Sequence, residues 1–517
     1  MPEMNYIPRE FRQILTGIFC NGNSLLRIIS ISYLLLPNFI FLATWLNPVI
    51  GIISVFLLLL IFFRVVLYEE IKNNVSVTHT EKNNKLVFLI LSLIALGLCF
   101  CFGIGEFRPQ VVDWGANNFK IYDLVTKEWP LYYENLNAYG CYYWGYYLPT
   151  AFLGKILGLA YSKYIILLWS WVGVFLILIW LFDIRKSFFF IVLFLLFNNA
   201  NTVFFLIDKL NIPFFQHFMK DGSLIIQDLH INIWSPMVTS LRWVPQHLIP
   251  GGIATLFLIH KSQTNNFKQD VLIFLSTMIW SPIISIGLTP FMLARLWINR
   301  REILLFKNLH SYILIGLPFI SIVLYLTANN TIKNTTNANH FIWDNSLYWL
   351  PAYVLFVVFN LLIWGFLLKS HFSIQNSFLL IAFLVIPLLA LYKLGIGNDL
   401  LFRGSIPAFI IVGVAVAKQS DDLRKNTKKR ITFIMWISCF LFYALPSIYT
   451  IGKGFLPGRP ATTIEYPFTQ GSTNIMDYLN IIYEPTASEQ YKLKENSIFE
   501  KYLMKHHQEK GSNLRKP

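Results

Sequence analysis

The sequence predicts an all-α polytopic integral membrane protein, and three observations carry that prediction. Of the 517 residues, 55% are hydrophobic and only 13% charged, about half the roughly 25% charged residues of a soluble globular chain. The apolar residues fall in runs long enough to cross ~30 Å of hydrocarbon as helices. The basic residues gather between those runs, as the positive-inside rule requires of cytoplasmic loops. Disordered, collagenous, coiled-coil and disulfide-rich secreted classes are excluded by the same composition. The net charge of +15 is explained by membrane topology, so no nucleic-acid partner is expected.

Taken in order, residues 1–104 hold N-terminal transmembrane helices near 25–45, 47–68 and 86–104. Residues 105–160 form a first large outer loop, and 161–452 the transmembrane core. Core spans are expected near 161–182, 187–207, 246–260, 311–327, 346–368, 375–393, 405–418 and 431–452. The stretch 270–298 is broken at Ser281-Pro282 and Thr289-Pro290, so it is one kinked helix or a hairpin. Residues 453–517 are a polar C-terminal tail, too short for a confident independent domain. The first 24 residues place Arg9, Glu10 and Arg12 around short apolar pieces with no small-residue cleavage site, so no cleavable signal peptide is expected.

Loop charges then set the sidedness. The segment from Lys418 to Arg430 carries six basic residues against Asp421 and Asp422, the strongest cytoplasmic signal in the chain. Counting outward puts Lys369, Arg300, Arg301, Lys307, Lys261, Lys268 and Arg185-Lys186 inside if 270–298 is a hairpin. The loops 105–160, 208–245 and 394–404 are then outside. About thirteen spans result, in a cell-membrane protein with its N-terminus cytoplasmic and its C-terminus extracytoplasmic. The tyrosine-rich run 142–160 is apolar enough to span, but crossing would flip Arg185-Lys186. It is read as a juxtamembrane helix with Tyr and Trp at headgroup level and Lys155 snorkelling.

The five cysteines (Cys20, Cys99, Cys101, Cys141, Cys439) show no paired spacing and read as small core hydrophobes. Three polar motifs on the expected outer side are the chemical candidates. The first opens at Asp113 with Asn117 and Asn118. A carboxylate just beyond a helix end under aromatic residues suits a general base; a solvated Asp in an aromatic belt is the plainer reading. Asp123, nearby, reads as structural or solvated. The second motif is Arg242-Trp243-Val244-Pro245-Gln246-His247, where His247 binds an anionic phosphate, relays a proton or simply anchors the helix. Upstream, His217, Asp221, Asp228, His230 and Asn232 match no standard metal spacing, so neither a metal nor a cofactor is expected. The third is Asn398-Asp399, followed by Arg403, four residues on and sharing a helical face with Asp399. That pair is a topological pin or a phosphate clamp.

These motifs together resemble the GT-C superfamily of polytopic glycosyltransferases. The matching features are Asp113 soon after a span and the juxtamembrane run from Tyr146-Tyr147-Leu148-Pro149 to Gly154-Lys155. More closely, the stretches Trp243 to His247 and Asn398 to Ala408 are similar to a group of bacterial multi-pass membrane proteins of unassigned function. The resemblance implies a GT-C-like core with juxtamembrane helices in the first outer loop. It also implies a sugar moved from a polyprenyl-phosphate donor to an extracytoplasmic acceptor, with membrane lipid as partner. Asp113 would be the catalytic base, and Asn117, Tyr146, Tyr147, Gln246, His247, Asn398, Asp399 and Arg403 would line the substrates. Two features depart from that pattern: two extra spans precede the outer loop, and Asn117 and Asn118 stand where a second carboxylate is common. A transporter or flippase of a lipid-linked intermediate, suggested by the breaks at Pro282 and Pro290, and a non-catalytic envelope assembly protein are the alternatives.

Overall fold

A computed structural model describes residues 22–506 except 75–84, 212, 214–218, 221–222, 227–228, 232, 234, 261–265, 304, 330–338, 345–348, 370–371, 373–376, 396–397, 470 and 484–486. Arg9, Arg12, Cys20, Lys261, His217, Asp221, Asp228 and Asn232 lie outside the described residues, as does the side chain of His230. The chain is all-α and multi-spanning. Among the described residues, seven helices are long and apolar enough to cross a membrane, or eight if the bent pair Phe188–Leu196 and Asn201–Lys209 is one span. Their outward faces suit lipid: Ile52, Phe366 and Met435 are 71%, 70% and 70% exposed, which no soluble surface would sustain in such number. Other segments expected to span are shorter helices, among them Lys85–Cys101, Pro245–Ile259 and Ser377–Ala390.

The elements that position the functional end are few. Helix α1 (Gly22–Trp45) is central; α2 (Asp113–Thr126) and α3 (Leu148–Leu157) belong to the first large loop. Helices α4 (Ser162–Ile184) and α5 (Pro245–Ile259) pack against each other inside the bundle. Then come α6 (Phe267–Ser276), α7 (Pro282–Ile303), α8 (Asp399–Gly404), α9 (Ile406–Lys425) and α10 (Ile475–Ile482). Strands are confined to short two-residue and four-residue pairings in loops.

The break in 270–298 is a hairpin. Helices α6 and α7 run against each other, and Arg295 clasps Asp270 through Nη2 at 2.6 Å and Nε at 2.8 Å. At the closed tip, the Ile279 carbonyl accepts from Gly145 N at 2.9 Å. A Cβ on Gly145 would lie 2.7 Å from Trp280 Cα, so the tyrosine-rich loop reaches the hairpin tip only because that residue is glycine.

Ion pairs collect at the opposite end. Arg27 binds Glu70 at 2.9 Å and also donates to Gln269, while His260 lies 2.6 Å from Asp183. Arg185 reaches Asp421 at 2.8 Å, and Lys425 reaches it at 2.8 Å. Helix α9 spans both ends, starting just after Arg403 and finishing beyond Asp421. At 1.5 Å per residue that separates the two ends by about 30 Å. The basic clusters at Arg27, Arg185-Lys186 and Lys418–Arg430 therefore share one face, as the loop charges required.

The long loop and the tail meet the expectations only in part. The run from Tyr142 forms the ten-residue α3, too short to span. Yet Trp144, Tyr146 and Tyr147 are fully buried in protein, so they are not headgroup anchors. Lys155 donates to the Val125 and Lys127 carbonyls at the C-terminal end of α2. The tail folds back over the loop instead of standing apart. Leu493 N donates to Tyr139 O at 2.8 Å, and Cys141 N to Tyr491 O at 2.7 Å. Asp123 anchors it: buried, neither solvated nor idle, it accepts from Ile475 N at 3.0 Å and Tyr133 Oη at 3.1 Å. Cys99, Cys101 and Cys141 are buried free thiols, as expected.

This architecture puts residues 134 and 502 on one side and 428 on the other. Single cysteines at the exposed Glu134, Tyr502 and Lys428 positions, in a chain with its native cysteines replaced, are expected to split accordingly under an impermeant thiol reagent. Labelling of 134 and 428 from the same side would contradict the fold.

Candidate functional site

Helix α2 opens with Asp113 in its first turn, where the helix dipole favours a carboxylate. It is polar yet buried along most of its length, including Asn117, Asn118 and Lys120. Gly115 makes this possible from the tail side, since a Cβ there would lie 2.2 Å from Tyr478 Oη of α10. From the core side, Trp114 Nε1 donates to Arg242 O at 3.1 Å. That bond ties the first polar motif to the start of the second.

At this end, three of the sequence motifs converge. Arg403 Nη1 binds Asp399 at 2.9 Å and donates to Tyr143 Oη at 3.4 Å. Tyr143 Oη lies 3.5 Å from His247 Nε2, and His247 Nδ1 lies 2.6 Å from Ser281 Oγ at the hairpin tip. Asp113 is within electrostatic reach of Arg403, Lys120 and Asp399, and it accepts a long hydrogen bond from Tyr483 Oη at 3.5 Å. Asn117 Oδ1 accepts from Tyr147 Oη at 2.6 Å. Asn398 sits at the head of α8 in a left-handed conformation with φ of 53°, which asparagine tolerates well.

Two expected residues stand differently. The Tyr146 hydroxyl bonds Ser170 Oγ at 2.7 Å in α4, within the bundle. Gln246 is buried next to His247 in the chain, and its Oε1 meets no hydrogen-bond donor among the described residues.

Lys120 is the central residue the sequence reading missed. Its Nζ donates to Tyr142 Oη at 3.2 Å and lies 3.5 Å from Asn117 Oδ1. The same ammonium sits 4.4 Å from the ring centroid of Tyr142, 5.4 Å from Tyr147 and 5.9 Å from Tyr491, a cage of cation–π contacts. Among the described residues no carboxylate forms an ion pair with it. Burial, with Arg403 adding to it and Asp113 opposing, pulls its pKa down to about 7. Burial pushes the Asp113 carboxyl above its ordinary value, against the pull of Arg403 and Lys120. A signal for Lys120 existed, because Asp113, Asn117 and Lys120 follow an i, i+4, i+7 helical stripe. Tyr483 and Tyr491 had none, lying in a tail 370 residues downstream of Asp113.

Chemically, the arrangement offers two cations, a carboxylate and several tyrosine hydroxyls around one point. Arg403 Nε is buried and meets no hydrogen-bond partner among the described residues, so a guanidinium fork remains available to an oxyanion. Among the described residues, no three His, Cys, Asp or Glu side chains group as a metal site would need. No family model, curated protein or solved structure matches the chain.

Burying an amine without a carboxylate partner costs stability that an apolar side chain would not. Between pH 7 and the ordinary lysine range the unfolded chain binds the extra proton, so stability rises with pH across that window. Lys120→Met is therefore expected to raise the thermal midpoint by a few degrees at pH 6.5 and by less at pH 9. A drop in the midpoint would mean the ammonium is satisfied within the protein and is not held for a ligand.

Proposed function

We propose that the chain is a membrane glycosyltransferase with a GT-C-like core, moving a sugar from a polyprenyl-phosphate donor to an extracytoplasmic acceptor. The single observation that carries this reading is the meeting of Asp113, Lys120, His247 and Arg403 at one end of the bundle, opposite the basic clusters. In this reading that end faces outward, and the C-terminus with it. The N-terminus is cytoplasmic, and the shorter helices Lys85–Cys101, Pro245–Ile259 and Ser377–Ala390 together with α6 and α9 complete about thirteen spans.

The chemistry divides simply between the two kinds of charge. Asp113 takes the proton from an acceptor hydroxyl as its oxygen attacks the anomeric carbon. The bond from that carbon to the carrier phosphate breaks, and the departing phosphate leaves with the electron pair. Lys120 and Arg403 stabilise the charge growing on it, in surroundings where water screens little. Tyr143 and Ser281 hold the His247 ring beside them. Asn117 and Tyr147 steer the lysine from below; Asp399 fixes the guanidinium.

Asp113→Asn keeps the size of the side chain and removes its basicity. In a reconstituted assay with polyprenyl-phosphate-sugar donors it is expected to lower transfer by roughly 100- to 10,000-fold, with insertion unchanged. Retention of most activity would shift the reading to a flippase, for which the proline-broken hairpin at Pro282 is the specific structural support. The pH dependence adds a second test. Donor affinity is expected to fall as pH rises through about 7, where the Lys120 ammonium loses its proton, and Lys120→Arg should flatten that fall. An affinity equally steep in both proteins would remove Lys120 from the phosphate site.

A further inference from the structure

We infer that the cleft between the first large loop and the folded-back tail is a binding site for a neutral oligosaccharide, the acceptor of the proposed reaction and thus resting on that reading. The cleft has a volume of about 1300 Å³, larger than the ~300–1,000 Å³ of typical small-molecule pockets and suited to an extended chain. Its floor is the hairpin in which Tyr132 pairs with Tyr139. The two rings stand 4.9 Å apart at 57°, and His506 meets Tyr139 edge-on. Tyrosine supplies an apolar face with a polar rim at low entropic cost, matching the apolar C–H face and hydroxyl edge of a sugar ring.

The charges around that platform argue for a neutral ligand. Glu128, Glu134, Glu495 and Glu500 line the cleft against Lys127 and Lys501, an acidic balance that repels phosphate. The cationic cluster at Lys120 and Arg403 has the reverse preference, so donor and acceptor are sorted by charge. The two sites are also physically joined. Leu493 lines the cleft and bonds Tyr139, while Tyr491, two residues earlier, bonds Cys141 and stacks on Tyr142 at 4.7 Å. The segment from Tyr491 to Leu493 therefore links the Tyr132–Tyr139 platform to the Lys120 cage.

The test uses the full chain in detergent against an immobilised array of neutral oligosaccharides of two to six residues, with an acidic polysaccharide fragment as control. Wild type is expected to bind at least one neutral series and not the acidic control. Tyr132→Ala should weaken that binding at least tenfold, and Tyr132→Phe, which keeps the ring, should restore it. Binding of polyprenyl phosphate should be the same in all three. Absence of binding to every neutral oligosaccharide, preference for the acidic control, or equal binding by Tyr132→Ala and wild type would overturn the proposal. If the glycan binds as described but no donor supports transfer, the cleft stands and the transferase reading fails. If transfer proceeds with an acceptor KM indifferent to Tyr132→Ala, the transferase reading stands and the cleft fails.

Discussion

An ammonium buried in protein loses hydration worth several kcal/mol, and without a partner charge a polar cage recovers only part of that loss. Lys120 has the cage, formed by Tyr142, Tyr147, Tyr491 and Asn117, and no ion-paired carboxylate among the described residues. Much of this end of the molecule is arranged around that constraint. The tyrosine-rich loop supplies two of the rings, the tail supplies the third, and Gly145 lets the loop settle on the hairpin tip. Gly115 lets α10 close over α2 from the other side. Each contact brings in a distant part of the chain, so the cage exists only when the whole end has folded.

The same dependence explains the role of the tail. A polar segment after the last long helix could have hung free. Instead Asp123 receives the Ile475 amide, and Leu493 continues the backbone pairing begun at Tyr139. The carboxylate that reads as structural or solvated in the sequence is therefore structural, a docking point. Removing its charge would loosen the segment that carries Tyr483 toward Asp113 and Tyr491 toward Lys120. Structure at this end and chemistry at this end are thus held by one set of bonds.

How much of this was legible in the sequence follows from the range of each signal. Membrane class, a break at Ser281-Pro282 and the shared face of Arg185 and Lys418–Arg430 were legible, because hydropathy runs, proline breaks and loop charges are local; whether the break kinks one helix or turns a hairpin was not. Asp113, His247 and Arg403 were legible as isolated polar motifs in an apolar chain, and counting crossings put them on one side, while their meeting there depends on packing. The juxtamembrane tyrosines misled, since an aromatic run reads alike at a headgroup layer and in a protein core; only packing distinguishes Tyr147, bonded to Asn117, from a belt residue. Lys120 was hidden for the opposite reason. A lysine in a loop helix looks like solvated charge until the tail covers it, and nothing near residue 120 announces Tyr491.

The central claim is that the caged lysine and the half-free guanidinium of Arg403 hold one anionic group between them. An experimental structure of the full chain in lipid nanodiscs with a polyprenyl phosphate tests it most directly. The account places the phosphate within hydrogen-bonding distance of both Lys120 Nζ and the Arg403 guanidinium, with Asp113 facing it across the site. A phosphate resting elsewhere, for instance against Lys163 and Arg459 in the smaller cavity of about 380 Å³ beside Glu106, would contradict it.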